Sequence, residues 1–248
     1  MESQFYEEYA QIEAVHWWFE GRRAIFGTLL QELGLSPRSI ILDLGCGTGA
    51  NLAFLSHFGR VVGLDRGAAA ARYSRQRTEL PVLQGDVVAL PVRSNTVDLV
   101  TAFDLIEHID DDRSCVAEMA RVCRPGGYLL VTVPAFRWMW GRQDVINHHK
   151  RRYEAREFAA LFSDQALEIR RLTYLNTLLF PVVAAVRLFR RLVPERNGEL
   201  VSDFSMTKPG RVNDALARLF SWEAAILRRH NLPIGVSLLC LARKPEQA

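Results

Sequence analysis

The sequence predicts an α/β fold in which a seven-stranded, mainly parallel sheet carries helices on both faces. Short β-rich runs alternate with helix-compatible segments, which is the pattern of strand–helix–strand units. The first run leads directly into a glycine-rich turn, and 248 residues with 49% hydrophobic side chains suit one large core with an elaboration. We therefore expect one α/β core with a cap rather than two full domains.

Five runs predict strands of the core, and three segments between them predict helices. The runs are 39–43, 60–65, 81–84, 97–102 and 128–133, and two further strands are expected near 167–173 and 235–242. The helical segments are 50–58, 68–78 and 111–123, the last stopped by Arg124-Pro125-Gly126-Gly127.

The chain divides into four predicted regions. Residues 1–34 are helix-compatible and unusually aromatic, so they predict an N-terminal helical cover, and residues 35–174 hold the core. The segment 175–233 far exceeds the roughly 2 to 6 residues of an ordinary α/β connection, so we expect a helical cap that shapes a substrate region. Residues 234–248 supply the last core strand and a tail.

Composition narrows the class of protein. The 31 basic and 28 acidic residues give a net charge of +3, which does not imply nucleic acid as a partner. The four cysteines have no paired or metal-finger spacing, and no apolar leader follows the acidic start, so we expect a reduced cytoplasm.

The longest apolar stretch, 175–186, is too short and too interrupted to span a bilayer, because a spanning helix needs about 20 apolar residues. Arginines follow it at roughly helical spacing, at 187, 190 and 191. The favoured interpretation is a cap helix packed on the core, and contact with a membrane surface is the alternative.

The sharpest signal is the segment 41–49, in which an apolar strand reaches Asp43 and then Gly45, Gly47 and Gly49 before a helix. Glycines permit positive φ and close approach of a ligand, and the helix start presents free N–H groups. A dinucleotide site would have its third glycine one residue later, and Asp43 would repel a pyrophosphate but accept a hydrogen bond from an ammonium group.

An acidic residue followed by x-G-x-G-x-G resembles the first motif of the class I, Rossmann-like S-adenosylmethionine-dependent methyltransferases. The resemblance covers residues 39–134, where four further elements follow in the order of that family. It implies S-adenosyl-L-methionine as the cofactor. The residues expected to bind it in this part of the chain are Asp43, Gly45, Cys46, Gly47, Asp65, Arg66, Asp86, Val87 and Phe103.

The resemblance also implies a role for several of these side chains. Asp65, at the end of the second strand, would accept from both ribose hydroxyls. Asp86 would accept from the adenine amino group while Val87 packs on the ring, and Phe103 begins a segment that lines the space near the sulfonium. Each feature alone has an ordinary explanation, such as helix capping, but all of them in this order predict the methyltransferase fold.

Two further motifs resemble a less-characterised bacterial branch of the same family, H-W-W-F-x-x-R-R at 16–23 and H-H-K-R-R-Y at 148–153. The first motif would place Trp18, Phe19 and either Arg22 or Arg23 over the cofactor, with an arginine meeting its carboxylate. The branch does not identify a substrate.

Three histidines are candidates for the catalytic base. His108 is favoured because imidazole titrates near neutral pH and this residue follows the fourth strand, beside the expected methyl donor. The alternative is that Glu107-His108 only orders the following loop. His148 and His149, after the fifth strand, are the other candidates.

The same loop carries the predicted substrate-binding residues. Trp138 and Trp140 suit a flat or apolar acceptor, whereas Arg152 and Tyr153 suit an anionic or hydroxyl-bearing one. A solvated basic loop with aromatic residues packed beneath it is the alternative. No metal is expected, because the spacing fits no metal signature and adjacent histidines on an extended stretch point to opposite faces.

The predicted function is methyl transfer from S-adenosylmethionine to an oxygen, nitrogen or carbon of a small acceptor, hydrophobic or lipid-linked, with oxygen favoured. A cyclisation or rearrangement that uses the bound sulfonium is a variant. A cofactor-binding partner subunit without activity is the alternative outside enzymes, and a nicotinamide-dependent oxidoreductase is the alternative enzyme. The oligomeric state is not predicted.

Overall fold

The computed structural model describes residues 2–192 and 209–246, with one sheet at the centre. Its strands lie close to the seven predicted runs. They are β1 Ile40–Leu44, β2 Arg60–Asp65, β3 Val82–Gln84, β4 Val97–Phe103, β5 Cys123–Pro134, β6 Glu168–Leu175 and β7 Ser237–Arg243.

The strands lie in the order β3-β2-β1-β4-β5-β7-β6. The first five are paired in parallel, whereas β7 lies antiparallel between β5 and β6. The prediction of a mainly parallel α/β sheet with helices around it is confirmed. Because the strand order reverses between β1 and β4, their carboxyl ends border the crevice in which open α/β sheets bind ligands.

Helices cover both faces of the sheet and connect most of its strands. They are α1 Glu2–Val15, α2 Trp17–Gln31, α3 Ala50–Leu55, α4 Ala68–Thr78, α5 Asp112–Val122, α6 Arg142–Ile146, α7 Ala155–Ser163, α8 Phe180–Leu192, α9 Arg211–Ser221 and α10 Glu223–Leu227. Two short 3-10 turns, Ile106–His108 and Arg137–Met139, follow β4 and β5.

The sheet separates two apolar cores because successive residues of a strand face opposite sides. Leu129 and Val131 of β5 join the first core, which includes residues of α5 and α7. Leu130, between them, joins the second core, with Phe26 of α2 and Phe220 of α9. This alternation fixes which face each helix covers.

The N-terminal helices and the cap helices α9 and α10 form one cover over the second core. Gly21 of α2 faces the ring of Phe220 so closely that a Cβ there would clash. The Asn213 side chain accepts from the Trp17 amide (2.9 Å) and donates to the Val15 carbonyl (2.8 Å), which ties α9 to the junction of α1 and α2.

The helices α8, α9 and α10 lie between β6 and β7 in the chain, where the cap was expected. Residues 193–208 of that region lie outside the described residues. Among the residues that are described, no helix is long and apolar enough to cross a membrane.

Candidate active site

The turn after β1 is shaped by glycines. Gly45 has φ of 67° and Gly49 has φ of 83°, in the left-handed region. A Cβ at Gly45 would lie 2.7 Å from Leu105 Cδ1, and one at Gly49 would lie 2.5 Å from Ser74 Oγ. Both positions therefore need glycine for conformation and for space. The Gly47 amide donates to Asp65 Oδ2 (3.0 Å), which ties the turn to the end of β2.

Asp43 places a buried carboxylate beneath this turn. Its Oδ1 accepts from the Thr101 hydroxyl (2.6 Å), whereas its Oδ2 is buried without a hydrogen-bond partner among the described residues. Burial raises the pKa of Asp43 to about 7, and the hydrogen bond from Thr101 opposes that rise. A cationic ligand group above the turn would compensate for the unsatisfied oxygen.

The other predicted polar contacts lie at the ends of β2 and β3. Asp65 is half-buried, and its Oδ1 also accepts from the Gly67 amide (2.8 Å). Arg66 beside it is exposed. Asp86 is exposed and accepts from the Val88 amide (3.2 Å), as a capping residue does, and Val87 is buried in the first core.

Two apolar members of the predicted cofactor set pack into the second core. Cys46 is buried against Gly63, where a Cβ would lie 2.9 Å from its sulfur, and burial raises the pKa of its thiol. Phe103 stacks on Phe26 with ring centroids 4.2 Å apart. The two side chains therefore pack in the second core, beneath the cofactor crevice.

The residues present fit S-adenosylmethionine. The unsatisfied Asp43 oxygen suits the ammonium group, the Gly45 to Gly49 turn clears space for the ligand, and Asp65 presents a carboxylate at the next strand end. These features lie at the carboxyl ends of neighbouring strands, where the fold binds ligands.

The two arginines of the N-terminal motif, Arg22 and Arg23, lie in two different places. Arg22 is buried, pairs with Asp104, donates to the Thr132 hydroxyl (2.7 Å) and lies over the rings of Trp18 and Phe26. It is thus anchored at the ends of β4 and β5.

Arg23 points the other way and donates to the Glu13 carbonyl (3.1 Å). It lines a hollow of about 310 Å³ beside Gly49 and Arg77. Of the two arginines, Arg23 is therefore the one next to the glycine turn. Phe19 makes edge contacts with the rings of Tyr9 and His16.

A cavity of about 160 Å³ opens between α2, the loop after β5 and α8. Trp17, Trp18 and Asp104 line the side nearest the cofactor crevice. The opposite side is built by the α6 segment and by α8, with His149 and Arg152 from the first and Val183 and Arg187 from the second. The cavity thus combines apolar walls with a few buried charged groups, as small-molecule sites do.

The three predicted histidines separate in the structure. His149 lines the cavity with its side chain 8% exposed, and its Nδ1 lies 2.9 Å from Asp144 Oδ1. The His108 ring packs edge-on against it, with centroids 4.8 Å apart. Burial lowers the pKa of His108, and a hydrogen bond of its ring to the His148 backbone opposes that shift.

His148 itself is exposed and has φ of 54°. The histidine pair therefore lies in a sharp turn and not on the extended stretch that was expected. This turn sends His149 inward and His148 outward.

The predicted substrate residues also separate. Arg152 lines the cavity, where its Nε donates to Asp144 Oδ1 (2.8 Å) and its Nη1 to the Ala135 carbonyl (2.9 Å). Tyr153 is buried, and its hydroxyl donates to Asp112 Oδ2 (2.8 Å), so it serves the packing of the fold. Trp138 and Trp140 are 38% and 37% exposed and lie outside the lining of this cavity.

Asn176, in the cavity lining, and Asp144, which pairs with the lining residues His149 and Arg152, were not singled out as site residues from the sequence. Asp144 is fully buried and accepts from His149, Arg152 and Arg187, yet its spacing matches no motif. Asn176 lines the cavity with φ of 59°, and Glu223 Oε2 accepts from its amide (2.7 Å). A polar residue within an apolar stretch was the only local signal for Asn176.

Residues 42–131 match the family model described as "Methyltransferase domain". A probable S-adenosylmethionine-dependent methyltransferase of Mycolicibacterium smegmatis is 30% identical over 158 residues, 62% of this chain and 60% of that protein. A demethylmenaquinone methyltransferase of Renibacterium salmoninarum is 31% identical over 105 residues, 42% of this chain and 44% of that protein.

Among solved structures, the fold is similar to a chain from the complex of the Haloferax volcanii Trm112 methyltransferase activator. The TM-score is 0.63 at 18% identity, with 99% of this chain and 96% of that chain covered. At that identity the likeness concerns the fold alone.

The matched segments span between 36% and 60% of the length of the first curated relatives. The segment matched by the family model includes most of β1, the glycine turn and the strands β2 to β4, which form the cofactor crevice described above. The predicted methyltransferase domain and its cofactor, S-adenosylmethionine, are confirmed at the level of the family. The chain therefore carries a methyltransferase domain at residues 42–131, within a Rossmann-like sheet.

Proposed function

We propose that this protein is an enzyme that transfers the methyl group of S-adenosylmethionine to a small, hydrophobic acceptor, with oxygen as the favoured methylated atom. The observation that carries the proposal is the cavity of about 160 Å³, whose lining includes Asp104, directly after β4, and Trp18 of the predicted cofactor set. An acceptor bound in that cavity would reach the methyl donor at the carboxyl end of β4.

The cofactor half of the site comes from the crevice. We assign the ammonium group of the cofactor to the unsatisfied Asp43 oxygen and the ribose hydroxyls to Asp65. Arg23, beside the glycine turn, is assigned to the cofactor carboxylate in preference to Arg22, which Asp104 and Thr132 already hold.

The acceptor half uses the apolar walls and His149. Trp17, Trp18 and Val183 would exclude water from the acceptor, which favours positioning of the reacting atoms. His149 is the candidate catalytic histidine that lines the cavity, so we assign activation of the acceptor to it, supported by His108. In the reaction a carbon–oxygen bond forms, the carbon–sulfur bond breaks with its electron pair left on sulfur, and the hydroxyl proton leaves to solvent.

An aromatic, quinol-like acceptor is the more specific candidate. The similarity to a demethylmenaquinone methyltransferase supports it, and so do the flat indole rings of Trp17 and Trp18 in the cavity wall. This candidate predicts that a flat acceptor is methylated in preference to a purely aliphatic one.

Two measurements test the proposal. Thermal melting of the purified protein with S-adenosylmethionine, S-adenosylhomocysteine and NADH should show a rise with the two adenosyl compounds and none with NADH, because a ligand of the folded state raises its melting temperature. Transfer of labelled methyl to a panel of quinols, phenols and aliphatic alcohols should then label a hydroxyl-bearing member. A rise in melting temperature with NADH alone would contradict S-adenosylmethionine as the cofactor. Binding of S-adenosylmethionine without any labelled product would contradict the methyltransferase activity.

A further inference from the structure

The inference concerns a cluster of three side chains beside the acceptor cavity: Glu107, His108 and His149. Each offers one ligand atom, and these atoms all lie within 4.8 Å of one another. Glu107 and His108 belong to the 3-10 turn after β4, and His149 follows α6. The Lys150 amide donates to the Glu107 carbonyl (2.9 Å), so the two segments are joined where the cluster forms.

The proton on His149 is fixed by its neighbours. Asp144 is surrounded by donors, with the Gly141 amide at 2.7 Å from Oδ2 and Arg152 Nε at 2.8 Å from Oδ1, so it acts as an acceptor. The Nδ1 of His149, 2.9 Å from Asp144 Oδ1, must therefore carry the proton. In the neutral imidazole Nε2 then presents a lone pair, and it lies 3.9 Å from Glu107 Oε1.

Glu107 faces that lone pair with no donor of its own. The side chain is fully buried, and neither carboxylate oxygen has a hydrogen-bond partner in the part of the chain that the structure describes. With a neutral imidazole and an ionised carboxylate, two electron-pair donors thus lie close together in a buried place. Such an arrangement requires either a proton on one of the two groups or a cation between them.

The chemistry of the group suits a metal ion. Two imidazoles and one carboxylate are ligands of zinc and other divalent transition metals, in which an open position remains for a further ligand. A ligating histidine usually donates its other N–H to a carboxylate or a carbonyl. His149 does so to Asp144.

We propose that Glu107, His108 and His149 bind one divalent transition-metal ion beside the acceptor cavity, whose lining includes His149. The proposal rests on the proposed function and assigns the activation by His149 to the ion that it binds. The ion would hold the acceptor oxygen and make its hydroxyl proton easier to lose to solvent. Asp144 orients His149 and does not contact the ion.

The test uses the full chain, freed of metal by a chelator and titrated with Co²⁺ and then Zn²⁺. Calorimetry should give one ion per chain, and Co²⁺ should produce a visible ligand-field absorption that Zn²⁺ removes. Glu107→Gln should weaken Co²⁺ binding by more than about a hundredfold and Asp144→Asn by about ten- to a hundredfold. His230→Gln, which changes an exposed histidine outside the cluster, should bind as the unchanged protein does.

The outcomes separate this proposal from the proposed function. If Co²⁺ does not bind at one equivalent, or binds Glu107→Gln as tightly as the unchanged protein, the metal site is contradicted and a proton satisfies Glu107. A melting-temperature rise with S-adenosylmethionine in the same samples would then leave the proposed function standing. That rise in Glu107→Gln also shows that the variant is folded.

Discussion

The cofactor crevice and the acceptor cavity adjoin each other but are built in different ways. The crevice takes its turn and carboxylates from short stretches at the ends of consecutive strands, such as Asp43 to Gly49 and Asp65. The cavity takes its lining from segments far apart in the chain, including α2, α6 and α8. A local motif can therefore reveal the first site, whereas only packing assembles the second.

The charged groups of the crevice and of the cavity also differ in how they are paired. In the crevice Asp43 keeps one unsatisfied oxygen for a ligand, while backbone amides hold Asp65. Around the cavity, buried charges satisfy each other first, as Arg152 and Arg187 do with Asp144. Specificity for the acceptor consequently depends on a network rather than on single residues.

The largest expected effect separates two neighbouring histidines. His149→Gln should lower turnover by about a hundredfold or more while the affinity for S-adenosylmethionine stays within about twofold, because the side chain serves the acceptor. His148→Gln, at an exposed position, should change turnover by less than about twofold. Initial rates with a labelled methyl donor measure both, and equal losses would contradict the assignment of His149.

The second prediction compares two glycines of nearly equal conformation. Gly45 and Gly34 have φ of 67° and 66°, but a Cβ at Gly34 meets nothing within 4 Å. Alanine at either position should lower the free energy of unfolding by about 1 to 2 kcal/mol. Only Gly45→Ala, which also crowds Leu105, should weaken cofactor binding by more than about tenfold. Denaturant unfolding and calorimetry separate the two effects, and equal cofactor affinities would contradict the steric argument.

The third prediction concerns the strand-end carboxylates. Asp65→Asn should weaken S-adenosylmethionine binding by about tenfold, or about 1.4 kcal/mol, because its carboxylate is assigned to the ribose hydroxyls. Asp86→Asn, at an exposed capping position, should have a smaller effect. The order is measured by calorimetric titration, and the reverse order would assign the main nucleoside contact to Asp86.

The smallest effect is a pH dependence of cofactor binding. Because burial raises the pKa of Asp43 to about 7, the free protein binds a proton there that a cationic ligand displaces. Affinity for S-adenosylmethionine should rise about threefold from pH 6.5 to 7.5, and Asp43→Asn should abolish the rise.

In the ligand-free protein the raised pKa of Asp43 affects the free energy of unfolding with the opposite sign. The folded state holds the proton more tightly, so this contribution to the free energy of unfolding falls as pH rises from about 4 to 7.

Most of the fold was predictable because each core strand and helix has its own local signal. The predicted runs match all seven strands within a few residues, apart from β5, which begins at Cys123 and not at 128. The early start arises because Cys123 already pairs with Val97 of β4, a non-local contact.

The side chains of the site were harder to predict. Phe103 and Cys46 fall within recognised motifs, yet their side chains pack into the second core. Trp138 and Trp140 lie in the predicted loop but outside the cavity lining. Motif membership fixes the position of the backbone, while the direction of each side chain depends on neighbours from other segments.

By itself, the sequence determined the order of strands and helices, the glycine turn after β1 and the carboxylates at the strand ends. These features depend on hydrophobic periodicity and on residues adjacent in the chain. Only the tertiary structure decided that His149 faces the cavity while His148 faces solvent, and that Glu107 and His108 meet His149 across 41 residues of chain. The reason is physical: the left-handed turn at His148 and the buried Asp144 network direct these side chains, and both are set by packing between distant segments.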